Sequence, residues 1–183
     1  MATSAPASTL DLAARVRRLE HVDDVQVRAL AAVLVDCVEG DASVSFMHPL
    51  TNDRATAFWR RVADGVARGE RALLVAEDAR GIVGTVQVIF AEQENQPHRA
   101  DVAKMLVHRR GRRQGLGEAL MRAAEDVARA HGKTLLVLDT GDDVAARLYT
   151  RLGWQRAGTI PGYALMPRGG PCDTTFYYRE LAA

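Results

Sequence analysis

The chain has 183 residues, 48% of them hydrophobic, which is enough for one compact domain with a buried core. Lysine and arginine total 24 against 23 acidic residues, and a net charge of +1 provides no general attraction to nucleic acid or to a membrane surface. Cys37 and Cys172 lie too far apart in sequence to form a metal or redox pair and fit a reducing compartment, and the five histidines show no ligand spacing, so no metal is expected.

Met1 to Thr9 is rich in Ala and Ser, lacks the basic and apolar regions of a signal peptide, and reads as a disordered tail ahead of a single domain over 10–183. No apolar run approaches the ~20 residues that span a bilayer, so a cytoplasmic protein is expected. Ala14 to Leu19 is a weakly signalled first strand. Asp24 to Glu39 carries Val25, Leu30, Val33 and Leu34 at helical spacing, with Gly40 as its stop. A loop with Phe46, His48 and Pro49 leads to a second helix, capped around Thr51 to Asp53, striped by Ala55, Phe58, Trp59, Val62 and Val66, and ended by Gly69. Ala72 to Glu77 and Ile82 to Phe90 read as a hairpin around Asp78 to Gly81, and Asp101 to Val107 as the next strand. A helix from Leu116 to His131 and a continuous apolar run, Leu135 to Leu138, complete a βαβ unit, so these two strands should be parallel. A short helix, Val144 to Leu152, precedes two closing strands, Gln155 to Ile160 and Thr174 to Leu181, joined through Pro161-Gly162 and a turn region from Pro167 to Pro171. The sum is a mixed α/β sheet.

The segment between the parallel strands carries the chemistry. From Val107 to Gly117 a loop holds four arginines and then two glycines one residue apart, just before an amphipathic helix. Strand, Gly-rich turn and helix N-terminus in that order cradle an anion, because free amides and the helix dipole meet there. Glycine lets the backbone approach a phosphate without a Cβ in the way. A Walker loop fails, since Gly111 is followed by Gln114-Gly115-Leu116 rather than by Gly-Lys-Ser/Thr. A dinucleotide fingerprint fails because Leu120 stands where its third glycine belongs. Two readings compete with a polyphosphate cradle: a turn with solvated arginines, and a basic patch for nucleic acid. The second is weakened by the confinement of the arginines to one loop.

What remains, Arg112-x-x-Gly115-x-Gly117 preceded by Leu106-Val107, resembles the pyrophosphate signature of the GNAT superfamily of acetyl-CoA-dependent N-acetyltransferases. Asp142-x-x-Ala145-x-x-Leu148-Tyr149-x-x-Leu152-Gly153-Trp154 resembles a second segment of that family. His98-Arg99-Ala100-Asp101-Val102-x-Lys104, Pro161-Gly162-Tyr163-Ala164 and Asp173-Thr174-Thr175-Phe176-Tyr177 are similar to the branch containing the tabtoxin-resistance acetyltransferase. The resemblance implies the GNAT fold, a mostly antiparallel sheet with a central parallel pair that parts around the pantetheine arm. It implies acetyl-CoA as co-substrate, with the backbone of Met105, Leu106 and Val107 on the pantetheine. The amides of Arg112, Arg113, Gln114, Gly115, Leu116 and Gly117 would then hold the pyrophosphate. Arg113 stands where glycine is commonest and Asp142 where asparagine is usual, which puts the Asp142 contact to the cofactor in doubt.

Acetyl transfer to an amine needs a base, because a lysine-like amine of pKa ~10.4 is protonated at neutral pH. The leaving thiolate, of pKa ~8.5 in water, benefits from an acid. The resemblance makes Tyr149 that acid; the alternative is a tyrosine that only packs its helix on the sheet. Asp139, following the apolar run at the carboxyl end of a parallel strand, and Asp101, at the start of its neighbour, are candidate bases or ammonium sites. For Asp139 the alternative is a turn or cap residue, and for Asp101 a solvated strand end. Glu92 and Glu94 are lesser candidates. The resemblance also implies that the first two helices and their loop form one wall of the acceptor site, with Phe46 and His48 as candidates, whereas Trp59 belongs to the apolar stripe. The expected function is acetyl transfer to a small-molecule amine, by a monomer or homodimer that engages neither nucleic acid nor membrane. Rival readings are a protein N-terminal or lysine acetyltransferase and a non-catalytic CoA-binding module.

Overall fold

The computed structural model describes residues 15–182. The proposed tail, Met1 to Thr9, and the expected strand start at Ala14 lie outside them. The elements are β1 (Val16–Leu19), α1 (Asp24–Glu39), α2 (Asn52–Ala67), β2 (Arg71–Asp78), β3 (Gly81–Phe90), β4 (Arg99–Val107), a 3-10 turn (Arg109–Gly111), α3 (Leu116–Ala130), β5 (Leu135–Thr140), α4 (Asp143–Arg151), β6 (Gln155–Leu165) and β7 (Pro171–Glu180). All seven strands join one sheet in the order β1-β2-β3-β4-β5-β7-β6. Only β4 and β5 run parallel. Among the described residues no helix is long and apolar enough to cross a membrane.

Local chemistry explains the helix starts. Asp23 caps α1 reciprocally: it accepts from the Gln26 amide at 2.8 Å while Gln26 Oε1 accepts from the Asp23 amide at 3.0 Å. Thr51 caps α2, and Asp142 caps α4 through bonds from the Val144 and Ala145 amides. Each central strand is buried on both faces. Along β2, Ala72, Leu74 and Ala76 meet Leu120, Met121 and Ala124 of α3, while Leu73 and Val75 meet Leu34, Trp59 and Val62 of α1 and α2. The sheet is therefore sandwiched between α1 and α2 on one face and α3 and α4 on the other, and its central strands read as continuous apolar runs.

Four boundaries differ from expectation. β4 begins at Arg99, so Asp101 lies within the strand rather than at its start, and β5 runs on to Thr140, so Asp139 also lies inside a strand. β6 passes straight through Pro161-Gly162, with its register broken between Ile160 and Ala164. β6 is an edge strand, where a missing proline N–H leaves no ladder bond unmade. β7 likewise begins earlier than expected, at Pro171.

Two irregularities of β4 position the site. Thr85 pairs with Leu106 and Gln87 with Ala103, so β4 carries one extra residue there, and Lys104 in that bulge has a φ of +50°. Pairing with β5 covers only Arg99–Asp101 against Leu135–Val137. Beyond Asp101 the two parallel strands separate.

Candidate active site

The separation of β4 and β5 opens a cavity of about 550 Å³. The exposed edge of β4 from Val102 to Val107 forms one side, and Asp139 and Thr140 of β5 with Leu148 and Tyr149 of α4 form the other. The loop from Gly111 to Gly117 and the first turn of α3 close one end, and Ala42 to Ser45, after α1, reach the opposite side. Met105, Leu106, Val107, Arg112, Arg113, Gly115, Leu116, Gly117, Asp139, Asp142 and Tyr149 all line it.

Of the four loop arginines, Arg112 and Arg113 line the cavity and Arg109 and Arg110 do not. The Arg109 amide donates to Asp36 at 2.8 Å and its Nε to the same carboxylate at 2.7 Å. Arg110 donates to Asp78 and to the Ile82 carbonyl, both at 2.9 Å. Arg112 Nε donates to the Val107 carbonyl at 3.1 Å. These three fasten the loop to α1, to the β2–β3 hairpin and to β4. Burial pushes the Asp36 carboxyl up, but the two hydrogen bonds from Arg109 outweigh it and hold the group below the ordinary carboxylate value. Arg113 alone of the four has no ion pair or side-chain hydrogen bond among the described residues, and its φ is +60°.

The cradle itself is backbone. Gly115, with φ +79°, precedes α3 and no side chain caps that helix, so the amides of its first turn lack an intrahelical partner at the cavity wall. The Leu116 side chain is core, 1% exposed, leaving only its backbone to the site. Gln114 donates to the Arg110 carbonyl within the loop. At Gly117 a Cβ would meet Leu148 Cδ2 at 3.2 Å and Met105 Sδ at 3.8 Å, so α3, α4 and β4 converge on a point with little room for a side chain.

Of the proton-transfer candidates, Tyr149 and Asp139 share the cavity and Asp101 does not line it. Tyr149 is 5% exposed and flanked by Trp154 and Tyr177, with ring centroids at 6.1 and 5.9 Å. Burial, with the nearby Asp142 and Asp139 charges, pushes its phenol well above the ordinary tyrosine value, so the hydroxyl keeps its proton and stands as a hydrogen-bond donor. The Asp139 carboxyl opens onto the cavity, yet the surrounding walls push it above the ordinary carboxylate value; Lys104 opposes that rise and Asp101 adds to it. Asp101 is held by Arg99 Nη1 at 2.6 Å. Asp142 also lines the cavity, but its carboxylate is engaged in capping α4.

Phe46 and His48 lie beside the cavity rather than in its wall. Phe46 packs edge-on against Phe58 at 5.2 Å. The His48 amide donates to the Pro167 carbonyl at 2.8 Å, and Arg168 approaches His48 Nδ1 at 3.4 Å. The connection between β6 and β7 thus folds over the loop between α1 and α2, with Ser43 Oγ donating to the Leu165 carbonyl at 3.5 Å. A second cavity of about 410 Å³ adjoins the first through Thr140 and Asp142, and Met166, Cys172 and Asp173 form part of its wall.

Sequence reasoning missed Lys104 and Ser45 as site residues. Both line the main cavity, and Lys104 Nζ donates to Ser45 Oγ at 3.0 Å. The signal available was a lysine inside the otherwise apolar run from Val102 to Val107.

Comparison with known proteins agrees with this geometry. The model of the Acetyltransferase (GNAT) family matches residues 33–154. Among solved structures, a GNAT superfamily phosphinothricin acetyltransferase from Sinorhizobium meliloti, in complex with acetyl-CoA, superposes with a TM-score of 0.77 at 18% identity, covering 91% of this chain and 87% of its own. An N-acetyltransferase from Staphylococcus aureus Mu50 gives 0.76 at 18% identity over 91% and 98% of the two chains. A ribosomal-protein-alanine N-acetyltransferase from Brucella melitensis gives 0.74 at 21% over 91% and 99%. With a parted parallel strand pair, an uncapped helix N-terminus at the end of the gap and a family model that spans both, this chain belongs to the acetyltransferase (GNAT) family.

Proposed function

We propose that the protein moves an acetyl group from acetyl-CoA directly to the amine of a small molecule. The residues fit the co-substrate: an uncapped helix end and a tightly surrounded glycine suit a pyrophosphate, and the unpaired edge of β4 suits an amide-bearing arm. When bound, acetyl-CoA supplies the thioester carbonyl that the amine attacks as the carbon–sulfur bond breaks. In this reading the amides from Arg112 to Gly117 hold the pyrophosphate, and backbone groups of Met105 to Val107 orient the arm. Asp139 takes the amine proton, directly or through water, and Tyr149 O–H gives a proton to the leaving sulfur. Asp101, tied to Arg99, does not accept the proton in this reading; its like charge raises the proton affinity of Asp139.

The observation that carries the small-molecule reading is the bridge between the β6–β7 connection and the loop after α1. It closes the acceptor side, where an open groove would suit a peptide. The relatives' printed substrates differ, phosphinothricin in one and ribosomal-protein alanine in another. A resistance role like that of the tabtoxin-resistance branch extends the same reading. Calorimetric titration with acetyl-CoA at low and moderate salt, followed by thiol release over a panel of amines, tests it. Micromolar, salt-sensitive binding and turnover of a free amine are expected, and Gly117→Trp should abolish the binding. Turnover of peptide N-termini alone would replace the small-molecule reading, and binding without turnover would leave a CoA-binding module.

A further inference from the structure

Lys104 is a side chain that the acetyl-transfer chemistry leaves without a task. It stands in the β4 bulge with φ +50°, and its hydrogen-bond partner, Ser45, also adopts a left-handed backbone, with φ +72°. Neither is glycine, so each conformation costs free energy, and such costs gather where geometry serves a site. Together they bring Nζ and Oγ to 3.0 Å inside the main cavity, near Asp139. The face of Phe58 lies 5.9 Å from the ammonium.

The ammonium has three donors, and Ser45 engages one. Among the described residues no carboxylate lies within ion-pair distance of it, whereas Arg109 and Arg110 of the loop are paired. Asp139 acts on Lys104 through its charge without touching it. The cavity therefore holds a separated pair of charges, an acidic point at Asp139 and a cationic point at Lys104 with a hydroxyl beside it. A monocationic amine would meet repulsion from Lys104 while it approached Asp139. A molecule carrying an ammonium and, a few atoms away, an oxyanion would satisfy both.

We infer that Lys104 and Ser45 form an oxyanion subsite, and that the acceptor is a zwitterionic, amino-acid-like amine whose carboxylate or related acid group binds there. The inference rests on the proposed acetyl transfer to a small molecule. Lys104 is a specificity-determining residue in this scheme and moves no proton. A charge-assisted hydrogen bond of this kind corresponds to about a 10- to 100-fold preference for the acid.

The test uses acetylated products, which removes differences in amine basicity. The CoA-saturated protein is titrated calorimetrically with N-acetyl amino acids bearing aliphatic, aromatic and acidic side chains, and with the matching carboxamides. The wild type should bind at least one acid about tenfold or more tightly than its amide. Lys104→Met should reduce that preference to about twofold, and Lys104→Arg should retain most of it, with acetyl-CoA affinity unchanged in both. Equal affinity for acid and amide, or a preference that survives in Lys104→Met, overturns the subsite. So does the absence of binding by every acid when acetyl-CoA still binds. Loss of acetyl-CoA binding by the wild type would overturn the proposed function along with it. If Lys104→Met does not fold, the wild-type acid–amide comparison and Lys104→Arg still decide.

Discussion

The Tyr149 hydroxyl ends a side chain that is only 5% exposed, and burial keeps its proton in place across the neutral range. A phenol in that state can donate to a thiolate but cannot act as a base. Tyr149→Phe keeps the ring packing against Trp154 and Tyr177 and removes only the donor. Steady-state kinetics should show kcat lower by roughly 10²- to 10⁴-fold with little change in the KM for acetyl-CoA; an unchanged kcat would remove Tyr149 from the proposed chemistry. Asp139 works in the opposite direction, because it accepts a proton only when ionised. Its rate contribution is therefore lost as pH falls through its own value, which burial has lifted above the ordinary carboxylate range. Asp139→Asn should abolish that acid limb in kcat/KM, while Asp101→Asn should keep the limb and shift it downward, since one like charge is gone. Identical profiles for the two variants would refute the division of roles.

At the scale of elements, the loop that shapes the cradle is anchored from outside by α1. Asp36, 5% exposed, is ionised against Arg109 and holds both its amide and its guanidinium. Because its folded pKa is lowered, its stabilising contribution is complete above the ordinary value of 3.8 and is lost as pH falls through the depressed value. Asp36→Asn should cost about 1.5–3 kcal/mol at pH 7 and flatten the acid side of the stability curve, as read from denaturant melts between pH 7 and pH 3. An unaltered acid slope would show that the pair contributes nothing. The same elements mark what the sequence made legible. Helix α1 can be read from Asp24 to Glu39 because its amphipathic spacing ends at Gly40, and the parallel pair can be read because a βαβ crossover of that length allows little else. Asp139 inside β5 and the long β6 cannot, since an aspartate and a Pro-Gly pair look like strand ends unless the neighbouring strands are known. Charge in the loop misleads for a related reason: Arg109 and Arg110 find partners on α1, β2 and β3, which are distant in sequence. Lys104 is hidden for want of any local signal for a bulge that depends on the pairing of β3 with β4.

Over the whole molecule, the proposed acceptor side draws on segments near both ends of the described chain. The loop between α1 and α2 supplies Ser43, Ser45 and His48, and the connection after β6 returns more than a hundred residues later to cover it. Arg168 ties that connection down twice, approaching His48 Nδ1 at 3.4 Å and donating to the Glu39 carbonyl at 3.3 Å. Neither contact touches the loop from Gly111 to Gly117, although Glu39 also pairs with Arg109 beside it, so in the proposed scheme the cover acts mainly on the acceptor. Removing the two side-chain ties with Ser43→Ala and Arg168→Ala together leaves the backbone bond from His48 to Pro167 in place. If about one hydrogen bond's worth of this stabilisation, roughly 0.5–1.5 kcal/mol, bears on the acceptor site, the double variant should raise the acceptor KM by roughly two- to tenfold. The affinity for acetyl-CoA, measured by calorimetry, should stay within about twofold of the wild type. An acceptor KM that does not move would mean that the bridge does not shape the acceptor site. The small-molecule reading would then lose its main support, because an acceptor side indifferent to its cover is one that a peptide can also enter.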